Sequence, residues 1–285
     1  MSFIDNKIIN DDLKNISGNI HWIKLKNKSI FVTGAYGMLA SYFVYELIYL
    51  NEIFNANITI ITAVRNEEKL KNRFGEFVDK DYFEIYSKDI NELIDYEENV
   101  DFIVHAASLA SPQFYSTVPV DVLKPNSIGT YNLLEFAKEK QVKGFLFFST
   151  GDIYGVVKDN KYLLESDCGL IDTLDIHSCY GESKRMGEVM CKAWNHQFNV
   201  PTRIVRIFHT YSPTMDVYND PRVFASFTKD ILNNNDIQMK SEGLAKRSFC
   251  YISDATVAFF KVLLDGRDAE AYNVCNTNQF ISIFE

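Results

Sequence analysis

What this sequence lacks narrows its function before any motif is considered. Only 5 of its 285 residues are cysteine and none forms a C-x-x-C pair, so Cys168, Cys179, Cys191, Cys250 and Cys275 point to neither a disulfide framework nor a zinc site. His21, His177 and His196 have no partners at ligand spacing, and no metal is expected. No apolar run approaches the roughly 18 residues that cross a bilayer. The amino terminus, Met1-Ser-Phe-Ile-Asp-Asn-Lys7, carries charge where a secretory signal has an apolar core. Basic residues are in deficit, 29 against 38 acidic for a net charge of −9, which argues against nucleic acid or an anionic membrane as a general partner. Repeats and low-complexity tracts are missing too. The expectation is a cytoplasmic globular protein, one large domain or a domain with a small lobe, since 47% hydrophobic residues can fill a full core.

Residues 1–28 read as an amino-terminal arm, weakly periodic from Ile8 to Ile23, with no chemistry assigned. At Ser29 the pattern changes to Ile30-Phe31-Val32-Thr33, a β-rich run of the kind buried on both sheet faces. The run ends in Gly34-Ala-Tyr36-Gly37-Met38-Leu-Ala40, and a helical run to Leu50 follows. Strand, glycine-rich turn and helix in that order aim backbone N–H groups and the positive helix end at a pyrophosphate. Gly34 and Gly37 permit the turn, Tyr36 and Met38 lie within it, and Ala40 is small enough for helix to pack on strand. Phe43, Val44, Leu47 and Ile48 have core spacing. A second strand, Ile58–Val64, ends at Arg65, where NAD-specific proteins place an acid. Arg65 could pair with the 2′-phosphate of NADP or lie on the adenine face, and both remain open. A third strand, Phe83–Tyr86, leads to Asp89-Ile90. A fourth, Val100–His105, leads to Ala106-Ala107-Ser108, whose small side chains let a cofactor lie close. A helix over Lys124–Lys140 and a strand over Gly144–Phe148 continue the alternation. The whole predicts an α/β chain with a Rossmann-type, doubly wound parallel sheet.

Chemistry is expected where a helix begins at Ser178-Cys-Tyr180-Gly-Glu-Ser-Lys184-Arg185, because Tyr180 and Lys184 then lie one turn apart on one face. An ammonium near a phenol favours the phenolate and makes it a usable base. Thr150, at the end of the strand that precedes this helix, is the candidate to hold a substrate oxygen. A solvated Tyr/Lys helix pair is the plain alternative. Farther on, Asp254 suits the N-cap of a helix over 255–264.

Thr33–Ala40, His105–Ser108, Ser149-Thr150, Tyr154-Gly155 and Tyr180-x-x-x-Lys184 together resemble the extended short-chain dehydrogenase/reductase superfamily of nucleotide-sugar epimerases, dehydratases and decarboxylases. Ala107–Pro112, Ser178–Arg185, Arg206–Pro213, Asp220-Pro-Arg222-Val and Arg247–Asp254 look most like its UDP-glucuronate decarboxylases. The resemblance implies a cofactor domain over 29–206 and a substrate-binding lobe over 207–285. It implies a homodimer through the helices near 124–140 and 180–199. Tyr180 and Lys184 would be the catalytic pair, with Thr150 as substrate-hydroxyl partner, Asp152 in the place of a catalytic glutamate and Arg222 in that of the catalytic arginine. Ser111, Pro112, His209, Arg222 and Arg247 would meet the nucleotide sugar. The resemblance favours NAD over NADP, with Asp89 and Ile90 at the adenine. Gly151 for serine, Asp152 for glutamate, His209 for asparagine and Ser212 for glycine depart from the decarboxylases. These departures leave a 4-epimerase as the alternative. Gly151 also stands where 4,6-dehydratases carry an aspartic acid, and its lack of one counts against that reaction. A cofactor-binding sensor without catalysis is the competing class. The strand-like stretch 271–285 is one that family members follow with a further helix, so a truncated lobe is expected.

Overall fold

Each of the buried runs becomes a strand of one sheet. The computed structural model describes residues 3–157, 162–239 and 241–285. An amino-terminal helix, α1 (Lys7–Asn19), precedes β1 (Ser29–Thr33), α2 (Met38–Phe54), β2 (Thr59–Ala63), α3 (Glu67–Phe74) and β3 (Phe83–Tyr86). β4 (Phe102–His105), the short helices α4 (Gln113–Thr117) and α5 (Pro119–Lys124), α6 (Thr130–Lys140) and β5 (Gly144–Thr150) follow. Next come the long α7 (Ser178–Phe198), β6 (Thr202–Ile207), β7 (Thr210–Tyr211) and α8 (Val223–Leu232). The chain ends with β8 (Lys246–Ser248), β9 (Cys250–Tyr251), α9 (Ile252–Asp265), β10 (Ala271–Val274) and β11 (Phe280–Ser282).

The main sheet has seven strands in the order β10-β6-β5-β4-β1-β2-β3, and all six of its pairings are parallel. The order reverses between β1 and β4, and a doubly wound sheet opens its ligand crevice beyond the strand ends at that point. Register carries the argument to single residues: Thr33 lies opposite both Ala63 and His105. The loops after β1, β2 and β4 therefore start side by side. One core joins β1, α2, α9 and α1, a second lies on the other sheet face among Phe31, Ile103, Phe145, Phe147 and α6.

Four differences from the sequence-based reading have physical causes. The helix expected over 124–140 is interrupted by a π-turn at Pro125–Gly129, since Pro125 has no N–H to continue the ladder. Asp254 is not the cap of α9: the helix starts at Ile252 with Tyr251 as cap residue, and Asp254 sits in the first turn, where it still favours the dipole. The arm is a helix with a buried stripe, Ile9, Leu13 and Ile16, packed in the core that holds α2 and α9. The stretch 207–285 is also more than a lobe, because its α9 packs on β5 and β6 and its β10 forms the sheet edge. β7 with β9 and β8 with β11 form two small sheets outside it.

Candidate active site

The dinucleotide end is built from backbone first. Gly34 has φ +65°, and a Cβ there would lie 2.8 Å from Ala107 Cα, so only glycine lets the β1 loop turn left-handed against the β4 loop. Gly37 N donates to Gly34 O at 2.9 Å. Gly37 is the cap residue of α2 and offers no side-chain acceptor, which leaves first-turn N–H groups for an anion. Met38 opens that helix, and Tyr36 packs half-buried against the main core. Arg65 and Asp89 come together, Nη1 to Oδ2 at 3.7 Å, and Asp89 accepts from Asn91 N at 3.0 Å. Ile90 is buried beneath them.

Beneath the loops lies a clasp. Thr33 Oγ1 accepts from Ala106 N at 3.1 Å and Ala107 N at 3.0 Å. Its own hydrogen is left for His105 Nδ1, 3.0 Å away. His105 Nε2–H then donates to the Pro125 carbonyl at 3.1 Å, so the partners dictate the tautomer. Complete burial, with the Lys184 charge adding to it, pushes His105 down to about 3; it is a neutral structural clasp. Several polar atoms nearby are buried without a partner among the described residues: Asn91 Oδ1, Ser108 Oγ and Ser111 Oγ. A glycine cradle, a free helix end and orphaned hydroxyls fit a dinucleotide well.

A cleft of about 1200 Å³ joins this end to the far lobe. Its walls include Ala106, Ser108, Pro112, Thr150, Asp152, Tyr180, Lys184, His209, Arg222 and Arg247. The structure thus brings together the expected catalytic residues and all of the expected sugar-contacting residues except Ser111, which lies back from the wall. Lys184 is buried and its Nζ donates to Phe148 O at 2.6 Å, which aligns α7 with the end of β5. Thr150 Oγ1 accepts from Asp152 N at 3.2 Å. Gly151 has a local reason: a Cβ there would lie 2.9 Å from the Phe208 ring. Ser212 turns its extra hydroxyl to Thr214 Oγ1 at 2.8 Å.

Electrostatics corrects one expectation. Tyr180 was expected to be lowered by Lys184, but burial pushes the phenol up and Asp152 adds to the rise, against a hydrogen bond with Thr150 and the Arg222 charge. Burial pushes Lys184 down to about 7, because the single carbonyl of Phe148 replaces only part of the water an ammonium loses there. Asp152 lines the cleft, and desolvation raises it while Arg247 opposes. His209 is pushed down to about 4 by burial, then by Arg247 and Arg222, so it is neutral at pH 7.

Other residues at the site carried little signal in the sequence. Tyr115 of α4 stacks on Tyr180, rings 5.0 Å apart at 13°, and one aromatic in a loop-like segment predicts no such contact. Glu188 holds Arg206 at 2.8 Å, and Arg206 donates to Tyr154 Oη at 2.9 Å, a braced floor under Thr150. Glu188 stands one turn beyond Lys184, and that spacing alone could have suggested it. Asp220 grips Arg222 through both carboxylate oxygens, each accepting from Nε at 2.9 Å.

Residues 30–275 match the sequence pattern of the NAD dependent epimerase/dehydratase family. The chain is 32% identical over 257 residues to UDP-glucuronic acid decarboxylase 6 of Arabidopsis thaliana, covering 90% of this chain and 72% of that one. It is similar in structure to the UDP-N-acetylglucosamine 4-epimerase of Methanobrevibacter ruminantium, solved with UDP-N-acetylmuramic acid, at a TM-score of 0.78 and 21% identity over 91% and 79% of the two chains. A dTDP-glucose 4,6-dehydratase of Bacillus anthracis, solved with NAD, superposes at 0.72 and 22% identity over 88% and 76%. At these structural identities the likeness speaks for the fold.

Proposed function

Because the chain belongs to the NAD dependent epimerase/dehydratase family, we propose that it remodels a nucleoside-diphosphate sugar through a transient ketone at C4. NAD, held by the Gly34–Met38 loop, would accept the hydride from C4 and return it. NAD is preferred to NADP because Arg65 leans on Asp89, which leaves less of it for a 2′-phosphate. Tyr180 takes the C4 hydroxyl proton and Thr150 holds the oxygen. Since burial raises the phenol, the proton leaves only with positive charge at hand, and Arg222 already acts in that direction.

Within this class we take oxidative decarboxylation of a UDP-uronic acid as the reaction. A ketone at C4 is β to the C5 carboxylate. The C5–carboxyl bond then breaks to release carbon dioxide, its electron pair remains as an enolate, C5 takes a proton, and C4 is reduced again. The observation that carries the choice is the pair of guanidiniums, Arg222 and Arg247, facing one cleft with Tyr180 and Asp152. Arg222 suits a carboxylate, as its bidentate grip on Asp220 illustrates. The same grip favours the second reading, C4 epimerisation, because it leaves the anchor engaged.

Supplying UDP-glucuronate and assaying carbon dioxide and UDP-xylose decides between them. Arg222→Ala and Asp152→Asn should each lower the rate by about 10²-fold. Release of neither product, with UDP-hexoses interconverted at C4, replaces the decarboxylase with an epimerase. Cofactor binding without conversion of any nucleotide sugar supports a sensor. We also infer a homodimer in the cytoplasm, with Ile128, Tyr131, Met186 and Val189, all about half exposed, as its apolar seam.

A further inference from the structure

The amino-terminal helix lies before the family's matched span, yet it reaches the far wall of the cleft. Asp12 Oδ2 accepts from Tyr42 Oη at 2.9 Å and from Tyr251 Oη at 2.7 Å. Tyr42 belongs to α2, the helix that starts at the glycine-rich loop. Tyr251 belongs to β9 and pairs in register with Tyr211 of β7, the two rings 5.3 Å apart. Tyr211 stacks on Phe224 at 4.4 Å and 25°, and both line the cleft beside Arg222. One carboxylate oxygen therefore ties the cofactor helix to the substrate wall. A second tie lies in the turn after the helix, where Lys24 reaches Asp265 at 2.5 Å and His21 at 2.9 Å does the same.

We propose that α1 is a strut and Asp12 a positioning residue that sets the β7–β9–α8 wall, and with it Arg222, at a defined distance from the cofactor loop. Part of the consequence rests on the nucleotide-sugar reading above: a wall out of place weakens capture of the sugar nucleotide and leaves the dinucleotide site intact. Asp12 is not among the residues that line the cleft, and its influence passes through Tyr251, Tyr211 and Phe224.

The test uses the full chain and the variants Asp12→Ala, Asp12→Asn and Tyr251→Phe. Amide hydrogen exchange over 208–232 and 250–251 should rise at least about tenfold in Asp12→Ala, which corresponds to about 1.4 kcal/mol, while exchange in β1, β4 and β5 stays as in the parent. Asp12→Asn, which keeps an acceptor oxygen, should recover much of the protection. By calorimetry UDP should bind about tenfold more weakly to Asp12→Ala and NAD unchanged. The double variant Asp12→Ala/Tyr251→Phe should be no worse than the worse single one. Unchanged exchange in the wall, or an increase spread evenly over the sheet, overturns the strut. If the parent protein fails to bind UDP, the nucleotide-sugar reading falls, and the exchange data still decide the strut.

Discussion

Glu46 stands in the middle of α2 with both carboxylate oxygens buried and without a partner among the described residues. Burial holds its carboxyl well above the ordinary range, so the folded chain keeps it protonated where the unfolded chain ionises it. A group raised on folding costs stability as pH rises above its unfolded value, here about 4.5, until the folded value is passed. Glu46→Leu should therefore add about 1–3 kcal/mol in urea unfolding at pH 8, and the gain should shrink toward pH 5. Equal stability at both values would mean that Glu46 has found a partner. His105 has the opposite sign. Its value is depressed to about 3 by burial, so stability falls as pH drops below the unfolded value of about 6.5. His105→Gln should flatten the loss of Tm between pH 6.5 and 4 while lowering Tm at pH 7, since its clasp with Thr33 goes. A slope unchanged by that variant assigns acid sensitivity to other groups.

At the scale of elements the β1–α2 turn is the least tolerant part. Gly34→Ala places a methyl 2.8 Å from Ala107 Cα at a left-handed φ, and should cost about 1–3 kcal/mol together with most of the NAD affinity. Normal cofactor titration in that variant would show that the loop can move aside. The turn was legible because glycine spacing, strand and helix agree in sequence order. So was α7, where Tyr180 and Lys184 fall on one face by periodicity alone. The break at Pro125–Gly129 is announced by Pro125 itself, but Leu133, Leu134, Phe136 and Ala137 continue a helical pattern that masks where the helix begins. The sign of the Tyr180 shift was hidden for a related reason. Spacing places an ammonium near a phenol, but how much water each loses depends on Phe147, Phe148 and Tyr115, which arrive from other elements.

For the molecule as a whole, the parallel order of the sheet follows from alternating runs, while the crossing of α9 and β10 back to it does not, because nothing in 252–274 distinguishes a lobe helix from a sheet helix. Association belongs to this scale as well. The apolar seam on α6, the π-turn before it and α7 should give a dimer by light scattering at micromolar concentration, and Val189→Lys with Met186→Glu should yield monomers of unchanged fold. A parent protein that stays monomeric overturns the inferred assembly.

The contact of the amino-terminal segment with β9 and α9 carries a consequence for how the chain is made. Asp12 meets Tyr251 and His21 meets Asp265 across sequence separations of 239 and 244 residues, the kind of pairing that forms late because so much chain must be in place first. During synthesis β1 to β5 can assemble as they emerge. The apolar face of α2, whose Phe43 stacks on Phe260 at 4.0 Å, waits uncovered until residue 265 has left the ribosome. α1 can reach α2 early, through Asp12 and Tyr42, but the side of α2 that meets α9 stays open until α9 is made, and the nascent protein must keep that oily face from its neighbours throughout that interval.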